Sequence, residues 1–306
     1  MIKGTNRMDF EEFINTLVSG VESRVNQEAS VMVMNIQRPN NNSAPALVFR
    51  PLDPNRTMSP VIYLRSLYDD YVDGKSMSIL ISDSIRRFKS NCDAFDYDIN
   101  TFIDFTKVKD QIVFRLINQS KNKRLLEDIP YTLYHGLAVV YYCQIDSSHS
   151  ILIRNSHVTM WKIDNDTLHS LALTNTRRMY PPQIMTINQV LSELPGVPSI
   201  MSSQDNEMYI VTNVKMMYGA ACVLYDDVLS DACRKAGCDK VYILPSSIHE
   251  MILIPATAAD GSTKIEPDVL LQIVSEINKK YVSVEDFLAT AVYSYDLQKK
   301  QFIVVA

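Results

Sequence analysis

Apolar residues recur with helical spacing in several segments of the chain. In the clearest segment, the apolar residues from Phe10 to Val21 fall on one continuous face. Asp9 followed by Glu12 resembles a capping box, which predicts that a helix begins here. The same spacing predicts helices at residues 60–71 and 77–89, a short helix ending near 128, a helix after Asp164 or Asn165, and helices at 226–236 and 268–280.

Shorter runs rich in β-branched and aromatic residues predict strands. They lie at residues 31–36, 46–50, 112–117, 137–145, 150–154, 209–212, 241–244, 251–254, 291–295 and 301–305. Turns are expected at 39–42 and at Pro245-Ser246-Ser247. Residues 90–100 are expected to form a surface connection, and the prolines at 181, 182, 195 and 198 to mark an irregular crossing.

These elements follow one another without a regular βαβ rhythm, which predicts an α+β fold. We expect two mixed or antiparallel sheets flanked by helices. The 306 residues are enough for one or two packed cores. The patterns favour an N-terminal α+β region over residues 8–150 and a C-terminal α+β region over residues 151–306.

Composition and charge narrow the classes of partner. Hydrophobic residues make up 46% of the chain and charged residues 21%, as in globular proteins. The net charge of −5 argues against a broad nucleic-acid surface. No apolar run approaches the roughly 20 residues that span a bilayer, and the first residues contain no signal-peptide pattern. We therefore expect neither a nucleic-acid nor a membrane partner.

The five cysteines do not have the spacing of a disulfide framework or of a zinc site. Free thiols in a reducing compartment fit this usage, so a cytoplasmic location is predicted. The chain also lacks the glycine-rich loops that cradle nucleotide phosphates. No cofactor is expected from these patterns.

Two polar strings are the candidate functional residues. One is Asn155-Ser156-His157, and the other contains Ser246, Ser247, His249 and Glu250. A hydroxyl, an imidazole and a carboxylate are the groups that a nucleophilic hydrolase needs. Ser246 or Ser247 would attack, and His249 or His157 would accept the proton. A metal ion held by the two histidines and Glu250 is a weaker alternative, because no short-spaced ligand pair supports it.

The other interpretation of these strings is structural. Serines in tight turns commonly hydrogen-bond the backbone, and a histidine at the rim of a core can be held in the same way. On adjacent strand positions, His249 and Glu250 would point to opposite faces. This interpretation is favoured over the catalytic one.

Tyrosines define a candidate interface. Tyr63, Tyr68 and Tyr71 fall within one predicted helix. Tyrosine is common at protein interfaces, because it combines a large apolar ring with a polar hydroxyl. The alternative is that these rings are half-buried in the core.

Five segments in order resemble the bacterial family of domain of unknown function 5688. They are residues 63–71, 121–130, 153–157, 218–225 and 243–250. The resemblance spans residues 8–296 and implies a bacterial, cytoplasmic protein. The second half is similar, more faintly, to the domain of unknown function 1444 family. Neither resemblance implies an activity.

The patterns leave three functions open. The favoured one is a non-catalytic intracellular binding or regulatory protein with a protein or small-molecule partner. The alternatives are a hydrolase that uses Ser246 or Ser247 with His249 or His157, and the binding of a small ligand between the two halves. The catalytic motifs that would favour an enzyme are missing.

Overall fold

The computed structural model describes residues 7–53, 60–94, 98–147, 149–192, 208–256 and 265–306. The chain forms two compact units. The first contains residues 1–38 and 42–102, and the second contains residues 39–41 and 103–306. This division follows contacts within the chain, and the domain boundary expected at residue 150 stays a prediction.

The first unit is built from a three-stranded sheet and helices. Its elements are α1 (Phe10–Val25), β1 (Ala29–Arg38), β2 (Asn42–Pro51), β3 (Val61–Tyr63), α2 (Leu64–Val72), α3 (Met77–Ala94) and α4 (Ile99–Ile103). The last residue of α4 already belongs to the second unit. The strand order is β1-β2-β3, and both pairs are antiparallel. Phe13, Leu17 and Val21 of α1 are fully buried in the core of this unit.

Two helix starts in this unit test the sequence patterns. Asp9 caps α1 as predicted, because its side chain accepts a hydrogen bond from the Glu12 backbone at 2.9 Å. The helix predicted from Pro60 begins only at Leu64. The preceding residues Val61–Tyr63 pair with β2 instead, which suits their β-branched and aromatic side chains.

The second unit holds most of the helices and strands. Its elements are α5 (Phe105–Val108), β4 (Ile112–Asn118), α6 (Lys123–Leu126), β5 (Tyr131–Tyr134), β6 (Leu137–Gln144), β7 (Ser150–Leu152), α7 (Asn155–Trp161), α8 (Asn165–Met179), β8 (Pro182–Thr186), α9 (Ile187–Ser192), β9 (Tyr209–Asn213), α10 (Asp226–Ala236), β10 (Lys240–Ser247), β11 (Glu250–Pro255), α11 (Pro267–Tyr281), β12 (Tyr293–Asp296) and β13 (Gln301–Val304).

Two sheets organise this unit. One has six strands in the order β13-β12-β10-β11-β9-β8, and the other has the order β4-β6-β5 with β7 also paired to β6. All of the strand pairs are antiparallel. The predicted α+β class is confirmed, with three sheets among the described residues rather than two.

Three connections differ from the sequence expectation. The turn expected at Pro245-Ser246-Ser247 lies at residues 248–249, because a bulge between Pro245 and Ser247 lets β10 continue to Ser247. The crossing expected after Pro181 contains β8, which starts at Pro182, where a strand tolerates proline. Helices α3 and α4 occupy much of the expected surface connection at 90–100. Residues 95–97 and the prolines at 195 and 198 lie outside the described residues.

None of the helices in the described ranges combines the length and the apolar character that crossing a bilayer requires. The cysteines at 143, 222, 233 and 238 are free thiols. Burial raises the pKa of the Cys143 and Cys222 thiols to about 12, so both are protonated at neutral pH.

Candidate functional site

The string from Ser246 to Glu250 is held together by its own hydrogen bonds. Ser246 Oγ donates to Glu250 Oε1 at 3.2 Å. Ser247 Oγ accepts the backbone N–H of His249 at 3.0 Å. Neither bond joins a serine hydroxyl to an imidazole nitrogen, which is the contact that the hydrolase hypothesis needs.

The His249 ring connects this turn to two other segments. Its Nδ1 accepts the backbone N–H of Tyr218 at 3.1 Å, and its Nε2 lies 3.3 Å from Asp286 Oδ1. Because Nδ1 accepts, the neutral ring carries its proton on Nε2 and donates it to Asp286. The backbone carbonyl of His249 accepts from Thr212 Oγ1 at 2.8 Å. His249 therefore ties three segments of the second unit together.

The string Asn155-Ser156-His157 forms the first turn of α7. His157 Nδ1 accepts the backbone N–H of Arg154 at 3.1 Å, and Asn155 Nδ2 donates to the Glu127 carbonyl at 3.3 Å. His157 thus caps a backbone N–H through Nδ1, as His249 does. The two strings are held by bonds to different elements. In the described part of the chain, no group of three or more His, Cys, Asp or Glu residues has a metal-binding arrangement.

The three tyrosines of the candidate interface occupy different environments. Tyr68 and Tyr71 lie on α2, and their rings lie 5.2 and 5.4 Å from the ring of Phe13. Their hydroxyls bond the backbone of Met8, at 3.2 and 3.4 Å. Tyr63 ends β3, and its ring lies 4.2 Å from the Arg38 guanidinium carbon. The contacts of Tyr68 and Tyr71 support the core alternative for these two rings.

A pocket of about 720 Å³ opens in the second unit. Its lining comes from β4, from the β6–β7 connection, from the end of α8, and from residues 213–218 at and after the end of β9. These segments lie on both sides of residue 150. The volume falls within the range of pockets that hold a small molecule. The pocket is therefore the candidate binding site of this unit.

Arg115 is one of the two cations that line the pocket. All other residues of β4 are buried, and Arg115 alone is half-buried. Its guanidinium carbon lies 3.9 Å from the centre of the Tyr142 ring and 3.8 Å from that of the Tyr218 ring. The cation is thus held between two aromatic faces, an arrangement that stabilises it by cation–π attraction.

The hydrogen bonds of Arg115 leave donors available. Its Nη2 donates to Ser150 Oγ at 2.9 Å. Within the described ranges, no carboxylate lies at ion-pair distance from this guanidinium. An arginine has five N–H donors, so the bonds to Ser150 and to the Tyr142 hydroxyl leave other N–H groups available. Burial raises the pKa of the Tyr142 phenol, and the Arg115 charge opposes that rise. Burial also raises the pKa of Tyr180, another lining residue.

The Tyr218 wall of the pocket is fixed by its backbone. Tyr218 has a φ of 56°, a left-handed conformation that is rare for a bulky side chain. A Cβ on the next residue, Gly219, would lie 2.2 Å from Thr212 Oγ1 and 2.7 Å from the His249 carbonyl oxygen. Only glycine fits this close approach. The bond from Tyr218 to His249 and the packing of Gly219 therefore set the position of the ring over Arg115.

Sequence reasoning missed Arg115, although the chain contained a signal for it. The predicted strand at 112–117 is apolar apart from this one charge. A charged residue inside a buried strand needs compensation by partners, since burial of an unpaired charge is costly. The stacking tyrosines come from β6 and from the segment after β9, and no local pattern links them to β4.

Comparison with known proteins gives one match. The model of the family of unknown function DUF5688 matches residues 10–297. Comparison with the curated proteins and with solved structures finds no match. The fainter similarity of the second half to the domain of unknown function 1444 family stays a prediction. Since the match covers nearly the whole length, the chain belongs to the family of unknown function DUF5688.

Proposed function

We propose that this protein is a non-catalytic binding protein of the bacterial cytoplasm, and that its ligand is a small molecule held in the pocket around Arg115. The observation that carries the proposal is a guanidinium in the wall of a 720 Å³ pocket, stacked between two tyrosines and without a carboxylate partner in the described part of the chain. Buried polar groups without full compensation are common where a ligand supplies the missing partner.

The arrangement of the polar strings supports a non-catalytic function. Ser246, Ser247 and His249 hydrogen-bond to the backbone or to neighbouring carboxylates. The cytoplasmic setting is supported by the free thiols, since buried reduced cysteines suit a reducing compartment. Among these, Cys233 and Cys238 are hydrogen-bonded to each other as thiols rather than joined as a disulfide.

A pocket-blocking variant tests the proposal. Met217 lines the pocket and is 51% exposed, so Met217→Trp adds bulk to the rim while leaving the core unchanged. Met216→Trp is the matched control, because Met216 is 44% exposed but does not line the pocket. Binding of a library of small aromatic and aliphatic fragments to the full chain is measured by ligand-observed NMR.

We expect a subset of fragments to bind the unaltered protein and the Met216→Trp variant but not the Met217→Trp variant. The proposal is wrong if no fragment binds, or if the fragments that bind are indifferent to Met217→Trp. Circular dichroism of both variants checks that the loss of binding does not come from loss of the fold.

A further inference from the structure

We infer that the ligand of this pocket carries a carboxylate, which the edge of the Arg115 guanidinium binds, and that the remainder of the ligand is apolar. This inference rests on the proposed function and names the chemical class that the pocket recognises. It is carried by the guanidinium geometry, the charges in the lining and the character of the pocket walls.

The geometry of Arg115 suits a planar anion. A guanidinium presents parallel N–H groups along its edge that match the two oxygens of a carboxylate. The rings of Tyr142 and Tyr218 each lie within 4 Å of the guanidinium carbon, so a ligand would bind the N–H groups that Ser150 and Tyr142 leave available. Stacking also fixes the plane of the guanidinium before a ligand arrives, and less side-chain entropy is lost on binding.

The charges of the lining favour a single negative charge on the ligand. The charged lining residues are two cations, Arg115 and Lys215, and one carboxylate, Asp146. The Asp146 carboxylate already accepts hydrogen bonds from the backbone and the ring of His149. A phosphate monoester carries close to two charges at neutral pH. It is typically held by several cations or by backbone N–H groups at a helix start. One negative charge suits the net formal charge of +1 in this lining.

The walls favour an apolar remainder. The apolar residues Val113, Phe114, Ile145, Met179 and Met217 all contribute to the lining. Methionine side chains adapt to irregular apolar shapes, and the aromatic rings offer stacking surfaces. A ligand with an aromatic or branched aliphatic body and one carboxylate would bury its apolar part here and leave its charge at Arg115.

Arg177 provides an internal contrast. Its guanidinium also lies near a tyrosine, 5.1 Å from the Tyr225 ring, but it forms two hydrogen bonds with the Asp227 carboxylate. That pair shows the type of partner which Arg115 lacks in the described part of the chain. Arg177 is therefore a satisfied arginine, and it does not line the pocket around Arg115.

Matched acid and amide probes test the inference on the full chain. The probes are 4-phenylbutanoate with 4-phenylbutanamide, and 2-naphthoate with 2-naphthamide. Phenyl phosphate serves as the phosphate arm. Dissociation constants are measured by calorimetry or by NMR titration for the unaltered protein, for Arg115→Gln and for the control Arg177→Gln. Arg115→Lys keeps the charge but removes the planar edge.

We expect each acid to bind about tenfold or more tightly than its amide, since a charge-assisted hydrogen bond contributes at least that much. Arg115→Gln should abolish this preference by weakening acid binding more than amide binding, Arg115→Lys should keep part of it, and Arg177→Gln should keep it in full. Circular dichroism of Arg115→Gln checks that the fold is intact.

Failure of the carboxylate inference can be distinguished from failure of the proposed function. If amides bind in a manner sensitive to Met217→Trp and the acids bind no better, the carboxylate inference is wrong and the pocket function stands. A preference for phenyl phosphate over both acids also overturns the inference. If neither member of any pair binds at the pocket, the inference and the proposed function both fail.

Discussion

His249, in the turn at residues 248–249, and Arg115, in the wall of the pocket, both lie against the ring of Tyr218. The two side chains differ in the partners of their nitrogen atoms. Both ring nitrogens of His249 meet protein partners, the Tyr218 backbone and Asp286. Arg115 donates to two hydroxyls, those of Ser150 and Tyr142, and its guanidinium lines the pocket.

This difference separates the structural role of the turn from the binding role that we propose for Arg115. Serine, histidine and glutamate in one short string look like a reactive set, but each is hydrogen-bonded within the fold. A single arginine in an apolar strand looks unremarkable, yet it lines the pocket and no carboxylate in the described ranges lies at ion-pair distance from it. We therefore base the proposed site on the compensation of polar atoms rather than on residue type.

The strongest test of the structural role of the turn is Gly219→Ala. The added Cβ would lie 2.2 Å from Thr212 Oγ1 and 2.7 Å from backbone atoms of Asn213 and His249, so the turn and its neighbours must separate. We expect a loss of about 3 kcal/mol or more in the free energy of unfolding, measured by urea denaturation.

The control for this variant is Gly237→Ala. A Cβ there meets nothing within 4 Å, and only the φ of +63° opposes it. Its expected cost is about 1 kcal/mol. Equal losses for the two variants would contradict the close approach at Gly219.

A smaller effect is expected for His249→Ala. The Tyr218 N–H loses its acceptor and the Asp286 carboxylate keeps only its bond from Ser283, which should cost about 1–3 kcal/mol of unfolding free energy. Because Tyr218 covers Arg115, the acid preference of the probes should weaken as well. His249→Asn retains an acceptor near Nδ1 and should recover part of both losses. A normal acid preference in the alanine variant would show that His249 has no role in positioning Tyr218.

The smallest predicted effect concerns pH. Burial lowers the pKa of His157, with a further contribution from Arg154, and burial also lowers the pKa of His169 against the opposing charge of Asp166. The folded state thus holds both rings neutral, while the unfolded state binds protons below about pH 6.5. Stability is fully present above that pH and should fall as the pH decreases.

Urea midpoints at pH 7, 6 and 5 test this direction. In the double variant His157→Gln/His169→Gln, the urea midpoint should decrease less between pH 7 and pH 5 than it does in the unaltered protein. The same decline in both proteins would assign the acid sensitivity to other groups.

Much of the fold followed from local patterns. The helix α10 lies at Asp226–Ala236 and ends at Gly237, as the sequence predicts, because a glycine with positive φ provides a strong local stop signal. The pair β12 and β13 and the helix α11 also lie near their predicted positions. Hydrophobic periodicity, helix caps and glycines each determine secondary structure within a few residues of their own position.

The pocket could not be predicted in this way. Its lining extends from residue 111 to residue 218, and strand pairing between distant segments brings it together. Even the Pro245–Ser247 turn was misplaced, since the bulge that extends β10 depends on its partner strand. The stack on Arg115 depends on β6 and on a left-handed Tyr218, and neither has a signature near residue 115.

The left-handed backbone at Tyr218 has a consequence for kinetics. The Tyr218 N–H donates to His249, and the following Gly219 packs closely against Thr212. The pocket wall at Tyr218 therefore cannot move unless its contacts with the turn between β10 and β11 are broken. A ligand therefore meets a receptor whose shape is already set. Association should proceed in one step, with an observed rate that rises linearly with ligand concentration, and differences in affinity between ligands should arise mainly from their rates of departure.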